Sequence, residues 1–216
     1  MTDPNKRRFD AAAKTWDEEP RRVQLAEAVA DAVLRCACVD SEMEALDYGC
    51  GTGLVTLKLA ANVRSIVGAD ISEGMLSVLR DKIAARGVSN VSTIVLDLRH
   101  DPPPERRFDL IVSSMTLHHL EDPASVIGKL AAMLKPGGRL CVADLDAESG
   151  DFHTDKTGVH HAGFDRDRVR GMFEEAGLGC VTVDTAYVFE REAQGVLREF
   201  SVFLACGRVR TGASLQ

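Results

Sequence analysis

The chain has 216 residues, 45% of them apolar and 27% charged, a composition typical of a globular domain and unlike that of collagen-like or disordered proteins. Its formal net charge of −7 has the wrong sign for binding a phosphate backbone, so we expect no nucleic-acid partner. No stretch approaches the ~20 apolar residues of a membrane span, and the first residues lack the apolar core of a secretory signal. We therefore expect a cytoplasmic protein with no membrane partner.

Two helices are predicted at the start of the chain, between about residues 5 and 38, with Pro20 separating them. Apolar residues recur at helical spacing in both, from Phe9 to Trp16 and from Val23 to Leu34. Residues 1–40 are expected to form a helical lid over the core in residues 41–216, the two parts together making a single domain.

From about residue 44, short apolar runs alternate with helical patterns. Near-continuous Val, Ile and Leu runs bounded by Gly, Asp and Pro are typical of parallel strands covered on both faces. Five such strands are predicted, beginning at Ala45, Ser65, Val91, Phe108 and Arg139.

The last part of the chain predicts two helices and two further strands. One helix is expected over 123–134, between the N-cap Asp122 and Pro136-Gly-Gly, and another over 165–176. Strands near 180–189 and 199–206 have no helix between them, so they are expected to form an antiparallel hairpin at the sheet edge.

The six cysteines form no CxxC pair and no repeated spacing, so neither a disulfide framework nor a metal site is predicted. Cys36 and Cys38 fall on a helical pattern, where cysteine serves as a small apolar residue. We expect buried free thiols.

A glycine-rich loop, Leu46-Asp-Tyr-Gly-Cys-Gly-Thr-Gly, joins the first predicted strand to the next helix. Its glycines let the backbone turn sharply and approach a ligand. Asp70 ends the second strand, where a carboxylate can accept both hydroxyl groups of a ribose. Asp97 ends the third strand, where it could meet an adenine amino group.

Two cofactors fit this pattern, a dinucleotide and S-adenosylmethionine. The dinucleotide fingerprint is G-x-G-x-x-G, whereas this chain has G-x-G-x-G preceded by Asp47, an acid that would repel a pyrophosphate but suits a cationic ligand. The Tyr and Lys pair of short-chain dehydrogenases is also missing. The residues therefore favour S-adenosylmethionine over a nucleotide-dependent oxidoreductase.

Successive motifs over about residues 44–144 resemble those of class I S-adenosylmethionine-dependent methyltransferases, in the expected order. They are the glycine loop, Gly68-Ala-Asp-Ile-Ser, Asp97-Leu, Phe108-Asp-Leu-Ile-Val-Ser-Ser, Leu117-His-His-Leu-Glu-Asp and Leu134-Lys-Pro-Gly-Gly. Within this superfamily the chain is most similar to the small-molecule branch that includes the ubiquinone/menaquinone biosynthesis methyltransferases. The resemblance implies a Rossmann-like three-layer α/β sandwich whose seven-stranded, mostly parallel sheet has the order 3-2-1-4-5-7-6, with strand 7 antiparallel.

The resemblance also implies which residues hold the cofactor. Asp47 would act on its amino group, directly or through water, and Asp70 would bind the ribose. The other implied contacts are Gly49, Gly51, Gly53 and Ser113 for the methionine part, and Ile71, Met75, Asp97 and Leu98 for the adenine.

The acceptor is expected beyond the carboxyl ends of strands four and five, as in other open α/β sheets. Histidines cluster there, and a histidine can take a proton from a hydroxyl or thiol. His118, His119 and His161 are therefore candidate general bases, although in-line transfer from a sulfonium needs a base only when the nucleophile must lose a proton. We expect a small-molecule acceptor; the alternative is a protein that binds the cofactor or its demethylated product without catalysis.

Overall fold

The structure is a computed structural model that describes residues 3–193 and 195–210, so the predicted domain limits at residues 1 and 216 lie outside the described residues. One sheet forms its centre. The strands are β1 (Glu44–Tyr48), β2 (Ser65–Asp70), β3 (Val91–Val95), β4 (Phe108–Ser114), β5 (Leu134–Leu145), β6 (Leu178–Ala193) and β7 (Val196–Val209).

The strand order is β3-β2-β1-β4-β5-β7-β6. The pairs among β1 to β5 are parallel, and β7 runs antiparallel to both of its neighbours, β5 and β6. The predicted fold class, strand order and edge hairpin are therefore confirmed. In a parallel sheet of this kind the carboxyl ends of the strands meet at one edge, and the loops that follow them converge there.

Six α-helices flank the sheet in the described part of the chain. They are α1 (Pro4–Ala12), α2 (Pro20–Cys36), α3 (Leu54–Ala60), α4 (Glu73–Arg86), α5 (Pro123–Ala132) and α6 (Arg166–Glu175). Two short 3₁₀ helices lie over Ala13–Glu18 and Leu117–His119.

The helices begin and end close to the residues that the sequence predicts. The Asp122 carboxylate accepts a hydrogen bond from the Ser125 amide at 3.0 Å, which caps α5 as expected. This helix ends earlier than predicted, at Ala132, because β5 already begins at Leu134, which pairs with Phe108 of β4.

Side chains on the two faces of the sheet pack into separate apolar layers. On one face, Leu46 and Ile111 pack with residues of α5 and α6 such as Ile127 and Phe173. On the other, strand residues pack with α2 and α3. This is the three-layer sandwich, and it leaves the carboxyl ends of the strands free to build a site.

Two of the expectations for the cysteines are wrong. The helix α2 ends at Cys36, and Cys38 lies beyond it, exposed, with a left-handed φ of 45°. Cys180 is exposed as well, so the thiols are not all buried.

None of the helices in residues 3–193 and 195–210 has both the length and the apolar character needed to cross a lipid bilayer.

Replacing Phe203 by alanine should destabilise the fold strongly. Phe203 lies on β7 with 0% of its surface exposed, so the change leaves a cavity in the core. We expect the free energy of unfolding to fall by about 3–5 kcal/mol, measured by urea denaturation. Leu197→Ala on the same strand is the matched control, because Leu197 is 63% exposed and should shift stability by no more than about 0.5 kcal/mol. Equal effects of the two changes would contradict the assigned core.

Candidate active site

A cavity of about 520 Å³ lies at the carboxyl edge of the sheet. Residues that follow each of β1 to β5 line it, together with residues from the N-terminal segment. Its volume is within the range of pockets that hold small molecules and cofactors.

The glycine loop after β1 forms part of the cavity wall. Gly49, Gly51 and Gly53 have φ values of 74°, 54° and 81°, in the left-handed region that favours glycine. A Cβ atom at Gly49 would lie 2.1 Å from Oγ1 of Thr116, and one at Gly53 would lie 2.2 Å from Cδ1 of Leu79. A Cβ atom at Gly51 would meet nothing within 4 Å. The loop is thus packed against protein at both ends and open at its centre, where Gly51 borders the cavity.

Asp70 stands at the end of β2 and holds the loop in place. One carboxylate oxygen accepts from the Gly51 amide at 2.8 Å and the other from the Ser72 amide at 2.8 Å. Each oxygen keeps a further lone pair, so the carboxylate can still accept hydrogen bonds from two hydroxyl groups. Burial raises the pKa of Asp70, against the effect of its backbone hydrogen bonds.

Asp47, the last residue but one of β1, is almost completely buried at 1% exposure. Its Oδ2 accepts from the Thr56 hydroxyl at 2.6 Å, while Oδ1 has no hydrogen-bond partner among the described residues. Burial raises the pKa of this carboxyl to about 7. A buried carboxylate oxygen without a partner, on the wall of a cavity, fits the ammonium group of the expected cofactor.

Of the residues predicted to contact the cofactor, not all reach the cavity. Asp47, Gly49, Gly51, Asp70, Ile71 and Met75 line it. Gly53 stands behind the loop against Leu79. Asp97, Leu98 and Ser113 do not line the cavity. Their neighbours Leu96, Arg99 and Ser114 line it instead.

The contacts of these three residues explain why their side chains lie outside the cavity wall. The Asp97 carboxylate forms a bidentate ion pair with Arg99, whose Nε and one terminal nitrogen donate to it at 2.7 and 2.6 Å. Leu98 is fully buried in the apolar layer against α5 and α6. Ser113 is also fully buried and donates its hydroxyl to the Tyr48 carbonyl at 2.8 Å.

His118 and Asp144 form a buried pair beside the cavity. The His118 Nδ1 lies 2.7 Å from Oδ1 of Asp144, and the two side chains are 2% and 0% exposed. Burial alone would raise the pKa of Asp144, but the charge of His118 and hydrogen bonds from His118 and Leu145 lower it overall. With Nδ1 donating to the carboxylate, Nε2 is the ring atom that can accept a proton.

Two more imidazoles stand next to this pair. The ring of His119 is 4.1 Å from that of His118 between centroids, and the ring of His153 is 4.8 Å from it. Burial and the charge of His118 lower the pKa of His119 to about 3 and that of His153 to about 4. Both are therefore neutral at physiological pH. His119 Nδ1 donates to the Gly158 carbonyl at 2.8 Å, which again leaves Nε2 as the acceptor.

His161 is not part of this cluster, although the sequence predicted it as a candidate base. It lies outside the cavity wall, with its ring 5.0 Å from that of Phe164. The sequence prediction placed His153 in the same group of histidines without selecting it as a candidate base, and it did not select Asp144. Asp144 could have been found from the same signal as Asp70, because it is an acid at the carboxyl end of a predicted strand.

The N-terminal segment closes one side of the cavity with Asn5, Arg8, Phe9 and Trp16. Polar contacts hold it in this position. Asp10 accepts from the Ser72 hydroxyl at 2.6 Å and from the Gly74 amide at 2.9 Å. Asp17 accepts from the Thr52 hydroxyl at 2.5 Å, so the segment is fastened to both the glycine loop and α4.

Three arginines, Arg21, Arg22 and Arg191, also line the cavity. Arg22 stacks on Trp16 with its guanidinium carbon 3.8 Å from the ring centroid, and Arg191 lies 5.7 Å from the ring centroid of Phe152. Within residues 3–193 and 195–210, neither Arg22 nor Arg191 forms an ion pair with a carboxylate. Burial lowers the pKa of Arg22 and of Arg191, as does the charge of nearby Arg21.

Comparisons with known proteins agree with this geometry. Residues 45–138 match the family described as "Methyltransferase domain". An uncharacterized methyltransferase of Schizosaccharomyces pombe is 38% identical over 158 residues, which are 66% of this chain and 56% of that protein. The ubiquinone/menaquinone biosynthesis C-methyltransferase of Proteus mirabilis is 30% identical over 170 residues, covering 63% of this chain and 66% of that protein.

A solved structure, an S-adenosylmethionine-dependent methyltransferase of Aquifex aeolicus, superposes with a TM-score of 0.68 and 22% identity, covering 93% of this chain and 98% of that one. The chain spans about half the length of the curated relatives it matches. With the family match, the sheet order and the glycine loop in agreement, the chain belongs to the class I S-adenosylmethionine-dependent methyltransferases, whose cofactor is S-adenosylmethionine.

Proposed function

We propose that the protein transfers the methyl group of S-adenosylmethionine to a small-molecule acceptor bound in the same cavity. The observation that carries the proposal is the buried Asp47 carboxylate, whose free Oδ1 supplies a site for an ammonium group beside the open glycine of the loop. The cofactor supplies an activated methyl group on a sulfonium. The acidic composition argues for a small acceptor over a nucleic acid, and a cytoplasmic location remains a prediction.

Asp70 has the position and the free lone pairs to hold a ribose, as the sequence proposed. Ile71 and Met75 on the wall offer apolar surface for a base. Gly51 lets the backbone approach the ligand closely. Together these contacts would fix the reacting group, and orientation is the main contribution that a protein makes to an in-line displacement.

The acceptor would lie among the aromatic and imidazole rings of the cavity, which include Phe9, His119, Phe152 and His153. These rings suit an apolar body that carries a ring of its own. His118, oriented by Asp144, is the proposed base that takes the proton of a hydroxyl or thiol nucleophile. His119 offers a second neutral acceptor nitrogen beside it.

Two arginines on the cavity wall indicate which ligand groups carry negative charge. Arg22 and Arg191 lie on the cavity wall without carboxylate partners in the described chain, in a protein that is acidic as a whole. We assign Arg22, near the N-terminal segment, to the carboxylate of the cofactor. Arg191, beside Phe152, is assigned to an acidic group on the acceptor.

A protein that binds the cofactor or its product without catalysis is the alternative. A screen of phenols, thiols and quinols, with and without a carboxyl group, distinguishes the two functions. The measured quantity is the S-adenosylhomocysteine formed from S-adenosylmethionine. A methyltransferase should form S-adenosylhomocysteine only when an acceptor is present, together with an equal amount of the methylated acceptor. Tight binding of S-adenosylhomocysteine with no turnover across the screen would support the alternative.

Binding of S-adenosylhomocysteine should strengthen as the pH rises from 5.5 to 7.5. Asp47 has a pKa of about 7 in the free protein, so the carboxylate that attracts the ligand's ammonium is scarce at pH 5.5 and predominates at pH 7.5. We expect about a tenfold gain in affinity by calorimetry. Asp47→Asn should flatten this rise, whereas Asp109→Asn, remote from the cavity, should preserve it. A rise that persists in Asp47→Asn would refute the assignment.

Asp144→Asn should lower kcat by about 100-fold or more, because the amide no longer orients and stabilises a protonated His118. His118→Gln should have a similar effect, and the double variant should lose little more, since the two residues act as a unit. Affinity for S-adenosylhomocysteine, measured in parallel, should stay within about twofold of the parent. His100→Gln, on the exposed surface, is the control. Full activity of both active-site variants would exclude this base.

Arg191→Gln should raise KM for an acceptor with a carboxyl group by roughly tenfold or more, and leave KM for its uncharged analogue unchanged. Arg22→Gln should instead weaken S-adenosylhomocysteine binding. Arg208→Gln is the matched control, because Arg208 lies on β7 away from the cavity. Equal effects of Arg191→Gln on charged and uncharged acceptors would contradict an acidic acceptor.

A further inference from the structure

Three cysteines that are far apart in the sequence meet on one face of the sheet. Cys36 ends α2, Cys141 lies in β5, and Cys206 lies opposite Cys141 in the antiparallel β5–β7 pair. Their sulfur atoms all lie within 4.8 Å of one another. None of the three lines the cavity, so this trithiol cluster is separate from the candidate active site.

The sulfur atoms point at each other. The Cys206 Sγ is 2.6 Å from that of Cys36 and 3.4 Å from that of Cys141. Three thiolates around one Zn²⁺, at a metal–sulfur distance of about 2.3 Å, are spaced about 3.8–4.0 Å apart. Side-chain rotations of about 1 Å at the sulfur atoms would therefore bring the cluster to this spacing.

The surroundings suit a soft metal ion. Cys141 is 0% exposed and Cys206 is 9% exposed within an apolar layer, where a water-filled site for a hard cation would be disfavoured. Cys36 is half-buried, which gives an ion a route in from solvent, and a water molecule from that side could serve as the fourth ligand.

Arg139 places a positive charge next to the cluster. One guanidinium nitrogen of Arg139 donates to the Cys36 carbonyl at 3.1 Å. Three thiolates and a divalent ion carry a net charge of −1, which the neighbouring arginine offsets.

From this geometry we propose that Cys36, Cys141 and Cys206 bind one thiophilic metal ion of the Zn²⁺ class through three thiolates. Binding forms three metal–sulfur bonds and releases to solvent the protons that the thiols still carry. The bound ion ties the C-terminal end of α2 to β5 and β7. Because Arg22 and Leu25, in the first half of α2, line the cavity, the ion also fixes one of its walls.

Cadmium is a suitable probe, since each cadmium–thiolate bond adds charge-transfer absorption in the ultraviolet. Titrating the reduced, metal-free protein with Cd²⁺ should give a signal that saturates at one equivalent with the intensity of three thiolates, and Zn²⁺ should displace it. The melting temperature should rise on addition of either ion. Cys36→Ser and Cys206→Ala should each weaken binding by more than about 100-fold, since even outer-shell changes cost 10–100-fold.

Cys38→Ser and Cys180→Ser are matched controls, because both thiols are exposed and lie outside the cluster. Each should bind Cd²⁺ as the parent does. Retained binding of S-adenosylhomocysteine and an unchanged circular dichroism spectrum verify that the variants are folded. Failure of the reduced protein to bind one equivalent of Cd²⁺ would overturn the proposal, and so would equal losses in Cys36→Ser and Cys38→Ser. Detection of a Cys36–Cys206 disulfide in protein that binds no metal when reduced would assign the cluster to thiol oxidation instead.

Discussion

The Asp70 carboxylate connects the parts of the molecule that build the cavity. One of its oxygens fixes the glycine loop through the Gly51 amide, and the other fixes the start of α4 through the Ser72 amide. The Ser72 hydroxyl in turn caps α4 through the Met75 amide and donates to Asp10 in α1. A single buried acid at the end of β2 therefore sets the loop, a helix start and the N-terminal wall relative to one another. Because its charge is desolvated, losing either amide donor would leave an uncompensated acceptor in the interior.

Most of the fold could be predicted from local sequence. Parallel strands covered on both faces are nearly continuous apolar runs, and the acids and glycines that follow β1 and β2 stand out against them. The missing helix between the last two strands was enough to predict the antiparallel edge. These features depend on neighbours in the chain, which is why most of the element bounds agree. The strand order, by contrast, was implied by the resemblance to the methyltransferase family and not by local sequence.

The site was less predictable, because its details are long-range contacts. His118, in the short helix after β4, meets Asp144 near the end of the adjacent strand β5, and nothing in either local sequence marks them as partners. Arg99 occupies the Asp97 carboxylate, and that depends on side-chain direction rather than on sequence spacing. The trithiol cluster joins residues of α2, β5 and β7, so a search for regular cysteine spacing could not find it.

The way in which the N-terminal segment is fastened bears on how ligands exchange. Its anchors to the glycine loop, to α4 and to the loop after β3 are hydrogen bonds and ion pairs. They include Asp17 with Lys82 of α4, and Asp3 with Arg99 after β3 at 2.7 Å. Contacts of this kind are strengthened by desolvation, weakened by dissolved salt and cheap to break one at a time. We therefore expect the segment to open locally while the sheet stays intact. On this basis we expect the lifetime of an enclosed complex to depend on ionic strength and on these few residues more than on the global stability of the domain.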